Sequence, residues 1–292
     1  MIDIAVIPVA GFGTRFLPLT KSQPKEMIGI VDKPVIHYIV EEAAKSGIKT
    51  IVFVTGRHKR AIEDYFDASP ELEYHLEKQG KYKLLKIVRE ISSMIEPIYV
   101  RQKEAKGLGH AILMAKKVIG NRPFAVLLGD EIIEGNPPLL KTLINKFETY
   151  RAPILSTYEV PWEKVSSYGV ISGKPLEEDK NLYLVEDLVE KPSINEAPSN
   201  LAIIGRYILT PEIFKYLEMI KPDKKGEYQL TDALKLLNRK DSIYAYKFEG
   251  LRFDTGNKLE YLKATLHFAS KHPEIGEEFK SYLREFLEKE NL

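Results

Sequence analysis

Short apolar runs bounded by glycine or proline recur along the first half of the chain and predict strands buried on both faces. They cover residues 4–9, 50–54, 97–101 and 124–128. Between the first two runs, Val35, Tyr38, Ile39 and Ala43 repeat at helical spacing, and Gly47 follows where a helix C-cap belongs. A strand, a crossover helix and a second strand form a βαβ unit, so we expect a parallel sheet with right-handed crossovers.

Further helices are expected along the chain, and beyond Trp162 the pattern changes to short strands. These helices are expected at 72–93, from the segment 102–111 to about 118, and at 138–150, 211–218 and 229–237. Strands are expected at 154–160, 168–172, 182–187, 201–209 and 243–248, the last running into residues 253–257. The predicted fold class is α/β, with a Rossmann-like, mostly parallel sheet flanked by helices. We expect a small mixed-sheet extension and two closing helices at 258–270 and 275–290, so that residues 1–257 form the main domain and residues 258–292 a C-terminal helical segment.

A connection of about twenty residues follows the first strand, and connections of this length are usually functional. It holds Gly11 and Gly13 in a turn with free backbone amides, followed by Arg15, Lys21 and Lys25. Free amides beside cations are typical of a polyphosphate site. The Gly-Lys-Ser/Thr of a Walker A loop and the third glycine of a dinucleotide fingerprint are both missing. The alternative is a hairpin turn with a solvated basic face.

Two other segments that contain glycine, at 102–111 and 129–131, also directly follow predicted parallel strands. The carboxyl ends of parallel strands share one edge of an open sheet, and ligands bind there. Asp130 lies in one of these segments and could be a structural cap, a general base or a metal ligand, while Asp254 lies in a later glycine-flanked segment. Because Mg²⁺ takes only one or two carboxylates plus substrate phosphates, two aspartates would suffice.

Composition excludes several classes of protein. With 44% hydrophobic residues and a net charge of +1, neither disorder nor bulk affinity for nucleic acid is expected. There are no cysteines for thiolate metal sites, thiol catalysis or disulfides. Apolar runs stay below the ~20 residues of a membrane-spanning helix. The first three residues lack the basic start of a signal peptide, so we expect a soluble, cytoplasmic protein.

The remaining charged and polar residues suggest little chemistry by themselves. The basic run 57–60 is interpreted as a solvated helix start, and Glu190 with Lys191 as an exposed ion pair. The six histidines form no metal-binding pattern, and His110 is expected to be structural. No activated serine or nucleophile–base pair is visible.

Three motifs in the first 34 residues carry a family resemblance. GxGTRxxPxT at 11–20, PKEM at 24–27 and VDKP at 31–34 resemble the signature of the sugar-1-phosphate nucleotidyltransferases, and the match continues in order to the C-terminus. It is strongest to the bacterial branch that transfers uridylyl groups. The resemblance implies Mg²⁺-dependent attack of glucose 1-phosphate on UTP, giving UDP-glucose and pyrophosphate. It also implies a homodimer or homotetramer, while the charge and the apolar run lengths lead us to expect no nucleic-acid or membrane partner.

The resemblance also implies a role for each matching residue. Arg15, Lys25 and Asp130 would be catalytic, and Asp130 and Asp254 would bind the metal. The nucleotide would be held by Ala10, Gly11 and Gly13, with the Gln102 side chain and the Gly107 backbone at the uracil. Gly169 and Glu190 would hold sugar hydroxyls, and Lys191 the sugar phosphate.

Three alternatives remain open at this point. Gly129-Asp130-Glu131 is closer to the thymidylyl-transferring branch, which leaves a thymidylyltransferase or an enzyme that accepts both nucleotides. The second alternative is a nucleotide-sugar sensor, although a sensor would have no use for cations that stabilise a leaving group. The third is an NAD-binding oxidoreductase, which would need the missing glycine.

In the last helix an apolar stripe could pack on its own domain, but the resemblance implies contact between subunits. It consists of Phe279, Tyr282, Leu283, Phe286 and Leu287.

Overall fold

The computed structural model describes residues 2–290. The strands are β1 Ile4–Pro8, β2 Gly29–Ile30, β3 Lys33–Pro34, β4 Thr50–Thr55, β5 Glu96–Arg101, β6 Phe124–Leu127, β7 Glu131–Glu134, β8 Ile154–Glu159, β9 Gly169–Pro175, β10 Leu182–Glu190, β11 Leu201–Leu209, β12 Tyr244–Lys247 and β13 Leu251–Asp254. The helices are α1 Val35–Lys45, α2 Arg60–Phe66, α3 Pro70–Lys78, α4 Tyr82–Ser92, α5 Gly107–Met114, α6 Lys116–Ile119, α7 Leu139–Tyr150, α8 Ile213–Met219, α9 Leu230–Asn238, α10 Lys258–Lys271 and α11 Gly276–Lys289.

Nine strands form one continuous sheet in the order β5-β4-β1-β6-β11-β8-β12-β10-β9. The strands from β5 to β6 run parallel to one another, as the βαβ pattern predicts. From β11 onward the pairing is antiparallel except between β8 and β12. The α/β class is confirmed, and the parallel strands are concentrated in the half of the sheet that the first part of the chain builds.

Helices cover both faces of the sheet because the side chains of each central strand alternate between two apolar layers. In β1, Ala5 and Ile7 pack into the layer formed with α1, α2 and α7. Ile4 and Val6 point into the opposite layer, formed with α5, α8 and α9. This double burial is why the strand contains no polar residue.

Two expectations about the strands were wrong. The expectation that residues 201–209 join 168–172 and 182–187 in the extension is wrong, because they form β11 in the middle of the sheet, between β6 and β8. β10 and β9 follow beyond β12, and β9 also pairs with β11 through Val170 and Ala202. The strand expected to run into residues 253–257 ends at Lys247, and β13 is a separate strand that pairs antiparallel with β7. That pairing places Asp254 opposite Glu131, directly beside the segment 128–130 that follows β6.

The long connection after β1 is more ordered than the sequence suggested. It contains three single-turn 3-10 helices, Thr14–Phe16, Leu19–Lys21 and Lys25–Met27, and then the β2–β3 hairpin. Helix α10, the first of the two closing helices, holds this connection in place. The Tyr261 hydroxyl donates to the Gly29 carbonyl at 2.8 Å, and the Tyr261 ring packs edge-on against Phe16. No helix within residues 2–290 is long and apolar enough to cross a membrane.

Candidate active site

The glycine-rich turn after β1 is folded around the side chain of Lys25. Gly13 has a φ of 67°, and a Cβ there would lie 3.1 Å from Lys25 Cβ and 3.2 Å from Thr20 Cγ2. Only glycine fits this left-handed and crowded position without strain. The Thr20 hydroxyl donates to the Gly13 carbonyl at 2.7 Å and closes the turn. At Gly11 the space beside the backbone is open except for Lys25 Cε at 3.9 Å, so this stretch of backbone is free to approach a ligand.

Gly56, which sequence reasoning did not single out, allows the same turn to pack against the end of β4. A Cβ at Gly56 would lie 3.0 Å from the Ala10 carbonyl oxygen. The available signal was the position of this glycine, directly after a buried strand that neighbours β1. The close approach fixes where Ala10 begins the turn.

Lys25 and Asp130 form an ion pair at the carboxyl ends of β1 and β6, and Arg15 Nη2 lies 3.9 Å from the same carboxylate. Burial alone would raise the pKa of Asp130, but Lys25 and Arg15 outweigh it and hold that pKa below its ordinary value. Burial likewise disfavours the Lys25 ammonium, yet Asp130 and Glu26 raise its pKa. Both partners are therefore charged at neutral pH.

Asp254 completes a pair of carboxylates that face the same small space beside Gly256. A Cβ at Gly256 would lie 3.0 Å from both Asp130 Oδ2 and Asp254 Oδ1 and 2.7 Å from Arg15 Nη2. Burial and then the negative charges of Asp130 and Glu131 raise the pKa of Asp254, a crowding of like charges that a cation would relieve. Within residues 2–290 no three histidine, cysteine or acidic side chains gather to hold a metal. Two carboxylates fit Mg²⁺, which takes its other ligands from water and phosphate.

The interpretation of residues 57–60 as a solvated helix start was wrong for Lys59. Its side chain is only 6% exposed and donates to Glu26 Oε2 at 2.7 Å. Burial lowers the pKa of Lys59 and raises that of Glu26. The buried pair joins the residue next to Lys25 to the start of α2, and so holds the Lys25 turn against the sheet.

The residues predicted to hold the sugar meet where β9 pairs with β10. Gly169 lies opposite Glu190 in the antiparallel register. Glu190 Oε1 lies 3.0 Å from Lys191 Nζ, and its Oε2 accepts a hydrogen bond from the Thr231 hydroxyl at 2.6 Å. A Cβ at Gly169 would lie 2.7 Å from Thr231 Oγ1, so glycine is required here. Thr231 belongs to α9, which brings this late segment into the site.

One cleft of about 750 Å³ gathers half of the predicted site residues. Its walls include Arg15, Asp130, Gly169, Glu190, Lys191 and Asp254. Ala10, Gly11, Gly13, Lys25, Gln102 and Gly107 are not part of these walls. Two of them directly adjoin the walls, since Lys25 hydrogen-bonds to Asp130 and Gly107 precedes Leu108, which lines the cleft.

Arg252 is a wall residue that sequence reasoning missed. Its side chain is 8% exposed, Nε donates to Glu131 Oε2 at 2.8 Å, and the guanidinium lies 5.1 Å from the centre of the Tyr168 ring. Nη2 of Arg252 is the one buried side-chain polar atom within residues 2–290 that has no hydrogen-bond partner. A signal was available, because residues two apart on a strand share a face and Arg252 is two residues before Asp254.

Comparison with known proteins assigns this chain to a family. A model of the nucleotidyl transferase family matches residues 4–271, so the chain belongs to that family. It is 52% identical over 281 residues to a UTP–glucose-1-phosphate uridylyltransferase of Staphylococcus epidermidis, covering 96% of this chain and 97% of that protein.

Two solved structures are similar over most of the chain. A UTP-bound UDP-glucose pyrophosphorylase of Acinetobacter baumannii has a TM-score of 0.89 and 42% identity, and the match covers 98% of this chain and 99% of that one. A UDP-glucose pyrophosphorylase complexed with UDP-glucose has a TM-score of 0.85 and 47% identity, covering 93% and 100%.

Proposed function

We propose that this protein transfers the uridylyl group of UTP to glucose 1-phosphate, forming UDP-glucose and pyrophosphate. The observation that carries the proposal is a single cleft with two charged ends. One end holds the cation Arg15 and the carboxylates Asp130 and Asp254, and the other holds Glu190 and Lys191. The first end suits a triphosphate, and the second a phosphorylated sugar. The relatives named above act on or bind these nucleotides.

The reaction needs alignment and charge neutralisation rather than a general base. A phosphate monoester has a second pKa of ~6, so a phosphate oxygen of glucose 1-phosphate is already a nucleophile at neutral pH. That oxygen forms a bond to the α-phosphorus of UTP while the bond from this phosphorus to the bridging oxygen of pyrophosphate breaks. Alignment of two substrates in one cleft can supply about 7–11 kcal/mol of the barrier.

Each cation has a place in this scheme. Lys191 would hold the sugar phosphate, Lys25 the transferring phosphoryl group, and Arg15 the two phosphates that leave. Charge on pyrophosphate builds only as the bond breaks, and fixed donors aimed at developing charge contribute about 3–4 kcal/mol each. Lys25 is positioned for this role by the turn around it and by Asp130.

Nucleotidyl transferases of this family use a divalent metal. We propose Mg²⁺, held by Asp130 and Asp254, because two carboxylates and substrate phosphates satisfy its preference for oxygen ligands. When bound there it would neutralise charge on the triphosphate. Removal of divalent ions with a chelator should abolish pyrophosphate release, and added Mg²⁺ should restore it. Full activity in the presence of chelator would rule out this assignment.

The activity can be tested by pyrophosphate release across a grid of substrates. UTP, dTTP, CTP, ATP and GTP should each be combined with glucose 1-phosphate, galactose 1-phosphate and mannose 1-phosphate. UTP with glucose 1-phosphate should give the highest kcat/KM. Uracil and thymine present the same hydrogen-bonding edge to Gln102 and differ only in the C5 methyl group, so dTTP is the competing nucleotide. Higher kcat/KM with dTTP would identify a thymidylyltransferase, and no pyrophosphate release with any pair would contradict the proposal.

We also propose that the C-terminal segment mediates self-association into a homodimer or homotetramer. On α10, Leu259, Leu262 and Leu266 are exposed, and on α11 so are Tyr282, Phe286 and Leu287. Exposed apolar side chains concentrated on two neighbouring helices mark an interaction surface. Phe279 and Leu283 are partly buried, so only part of the predicted stripe is available to a partner.

A further inference from the structure

Gln102, the residue assigned to the base, has its amide nitrogen committed to two protein acceptors. Nε2 lies 3.3 Å from the Gly107 carbonyl oxygen and 2.8 Å from His110 Nδ1. A carbonyl oxygen can only accept, so the nitrogen side of the amide must face it. A primary amide has two N–H donors; the Gly107 carbonyl accepts from one, and His110 Nδ1 accepts from the other when it carries no proton.

His110 is itself held in place by the segment 227–229. Gly109 N donates to the Tyr228 carbonyl at 2.9 Å, and Tyr228 N donates to the Lys106 carbonyl at 2.8 Å. The His110 and Tyr228 rings lie 6.0 Å apart between centroids. A Cβ at Gly109 would lie 2.8 Å from the Tyr228 carbonyl oxygen, so the first turn of α5 sits directly on this segment. The backbone beside His110 is therefore held against this segment, and its imidazole lies next to the Gln102 amide.

The carbonyl oxygen of the Gln102 amide is left for a ligand. Gln102 is buried, and its backbone N–H donates to the Thr55 carbonyl at 2.8 Å, which places the residue at the end of β5. No donor within residues 2–290 reaches Oε1, and Oε1 is not among the buried atoms without a partner. It therefore borders open space rather than packed protein.

We propose that His110 is a positioning residue that sets nucleotide specificity by fixing the orientation of the Gln102 amide. With the nitrogen held by His110 and Gly107, Oε1 is presented to the base as an acceptor. Uracil and thymine carry a proton on N3 and can donate to it. Cytosine has an unprotonated N3 at the same place, so two acceptors would face each other and the contact would be repulsive. The inference rests on the proposed transfer from UTP.

The protonation of His110 agrees with this orientation. Burial, followed by the positive charge of Lys106, lowers the pKa of His110, while Glu104 acts in the opposite direction. The neutral imidazole is the form that leaves Nδ1 free to accept, with the proton on Nε2.

The test is the ratio of kcat/KM for UTP to that for CTP, measured with glucose 1-phosphate. His110→Phe keeps a ring but removes the acceptor, so Gln102 keeps only its 3.3 Å contact to Gly107 and can turn its nitrogen to the base. The ratio should fall by about tenfold or more, mainly through KM for the nucleotide, with KM for glucose 1-phosphate unchanged. His110→Asn retains an acceptor oxygen near the position of Nδ1 and should keep most of the ratio.

The chain offers a matched control in another glutamine–histidine pair. His75 Nε2 lies 2.7 Å from Gln79 Nε2 on the exposed surface of α3, outside the cleft. His75→Phe should leave the ratio of kcat/KM for UTP to that for CTP at the wild-type value. If His110→Phe keeps the wild-type ratio, or if His110→Asn loses it as fully as His110→Phe, the proposal is wrong.

A measurement on the wild-type protein keeps the inference testable if the variants do not fold. Long-range ¹H–¹⁵N correlation spectra of the histidine ring should show His110 with Nδ1 unprotonated, and a proton on Nδ1 would overturn the inference. Failure of the proposed function looks different, because wild type itself would then release no pyrophosphate from UTP and glucose 1-phosphate.

Discussion

At the scale of single residues, the site brings together groups that repel or attract one another strongly. Asp130 faces two cations, Lys25 and Arg15, and a second carboxylate, Asp254, across the space beside Gly256. Opposite charges lower the pKa of Asp130, whereas burial and like charges raise that of Asp254. Two carboxylates with opposite pKa shifts in one cleft are typical of a functional site.

The first prediction concerns Asp130. Asp130→Asn keeps the shape of the side chain but removes its charge, so both the metal site and the partner of Lys25 are weakened. We expect kcat to fall by about 10²–10³, with the thermal unfolding transition retained. Asp187→Asn, which disrupts an ion pair with Lys235 outside the cleft walls, is the matched control and should stay within a few-fold of wild type. An Asp130→Asn enzyme that also stays within a few-fold of wild type would remove Asp130 from the chemistry.

The second prediction separates the two lysines of the site. The contact of Lys25 with the transferring phosphoryl group strengthens in the transition state, so Lys25→Ala should lose mainly kcat. Lys191 would bind the phosphate of the sugar in ground and transition state alike, so Lys191→Ala should mainly raise KM for glucose 1-phosphate. Steady-state kinetics with each substrate varied in turn distinguishes these effects. If the two patterns are exchanged, the lysines have been assigned to the wrong ends of the cleft.

Single residues also show what the sequence could not reveal. The turn glycines and both aspartates could be chosen as candidates, because a motif or a position after a predicted strand marks them. Lys59 was misjudged because its partner Glu26 lies 33 positions earlier in the chain, and a basic run gives no sign of such a contact. Strand periodicity could place Arg252 on the same face as Asp254, but its contact with Glu131, like that of Thr231 with Glu190, is not visible from sequence spacing.

At the scale of elements, the positions of the strands in the sequence were easier to predict than the order in which the strands pair in the sheet. Double burial produces continuous β-branched runs, so β1, β4 and β6 could be found from sequence. The order of strands depends on which edges meet after folding. β11 lies beside β6 although 73 residues separate the end of one from the start of the other. No periodicity records such a pairing.

A buried ion pair joins these elements beneath the site and carries the third prediction. Arg206 of β11 is fully buried; its Nε and Nη2 donate to Glu42 Oε2 of α1 at 3.0 and 2.7 Å, and Nη2 also donates to the Glu131 carbonyl at 2.9 Å. Arg206→Met leaves the Glu42 charge buried without a partner. We expect a loss of about 3–5 kcal/mol in the free energy of unfolding, measured by denaturant titration.

A second substitution and a control test the cause of that loss. Glu42→Gln combined with Arg206→Met removes the stranded charge and keeps an acceptor for the backbone N–H of Leu140, so stability should partly recover. Lys45→Met breaks an exposed pair with Glu41 on the same helix and should change stability by only about 0–1 kcal/mol. If the double variant is no more stable than Arg206→Met alone, lost packing rather than an unpaired charge explains the effect.

At the scale of the whole molecule, one sheet supports both ends of the cleft. The parallel half positions the turn with Lys25 and the loop with Asp130, while β9 and β10 at the far edge carry Gly169 and Glu190. α10 belongs to this arrangement as well, because Tyr261 contacts the connection that carries Arg15. A partner that binds α10 and α11 would therefore touch a helix that supports the active site.

The last prediction concerns that partner, which we propose is a second copy of this chain. Tyr282, Phe286 and Leu287 of α11 are 59%, 43% and 46% exposed. Full burial of a side chain of this size is worth about 1.5–3 kcal/mol, so roughly half of that remains to be gained for each, before the cost of association. A two-fold axis would bury each copy's patch against the other and double the contribution. Phe286→Glu with Leu287→Glu should therefore yield a smaller folded species by light scattering. Leu84→Glu with Ile87→Glu, an exposed apolar pair on α4, is the control and should keep the wild-type mass. If the α11 variant also keeps that mass, or if wild type is a monomer, the exposed side chains of α11 do not hold subunits together.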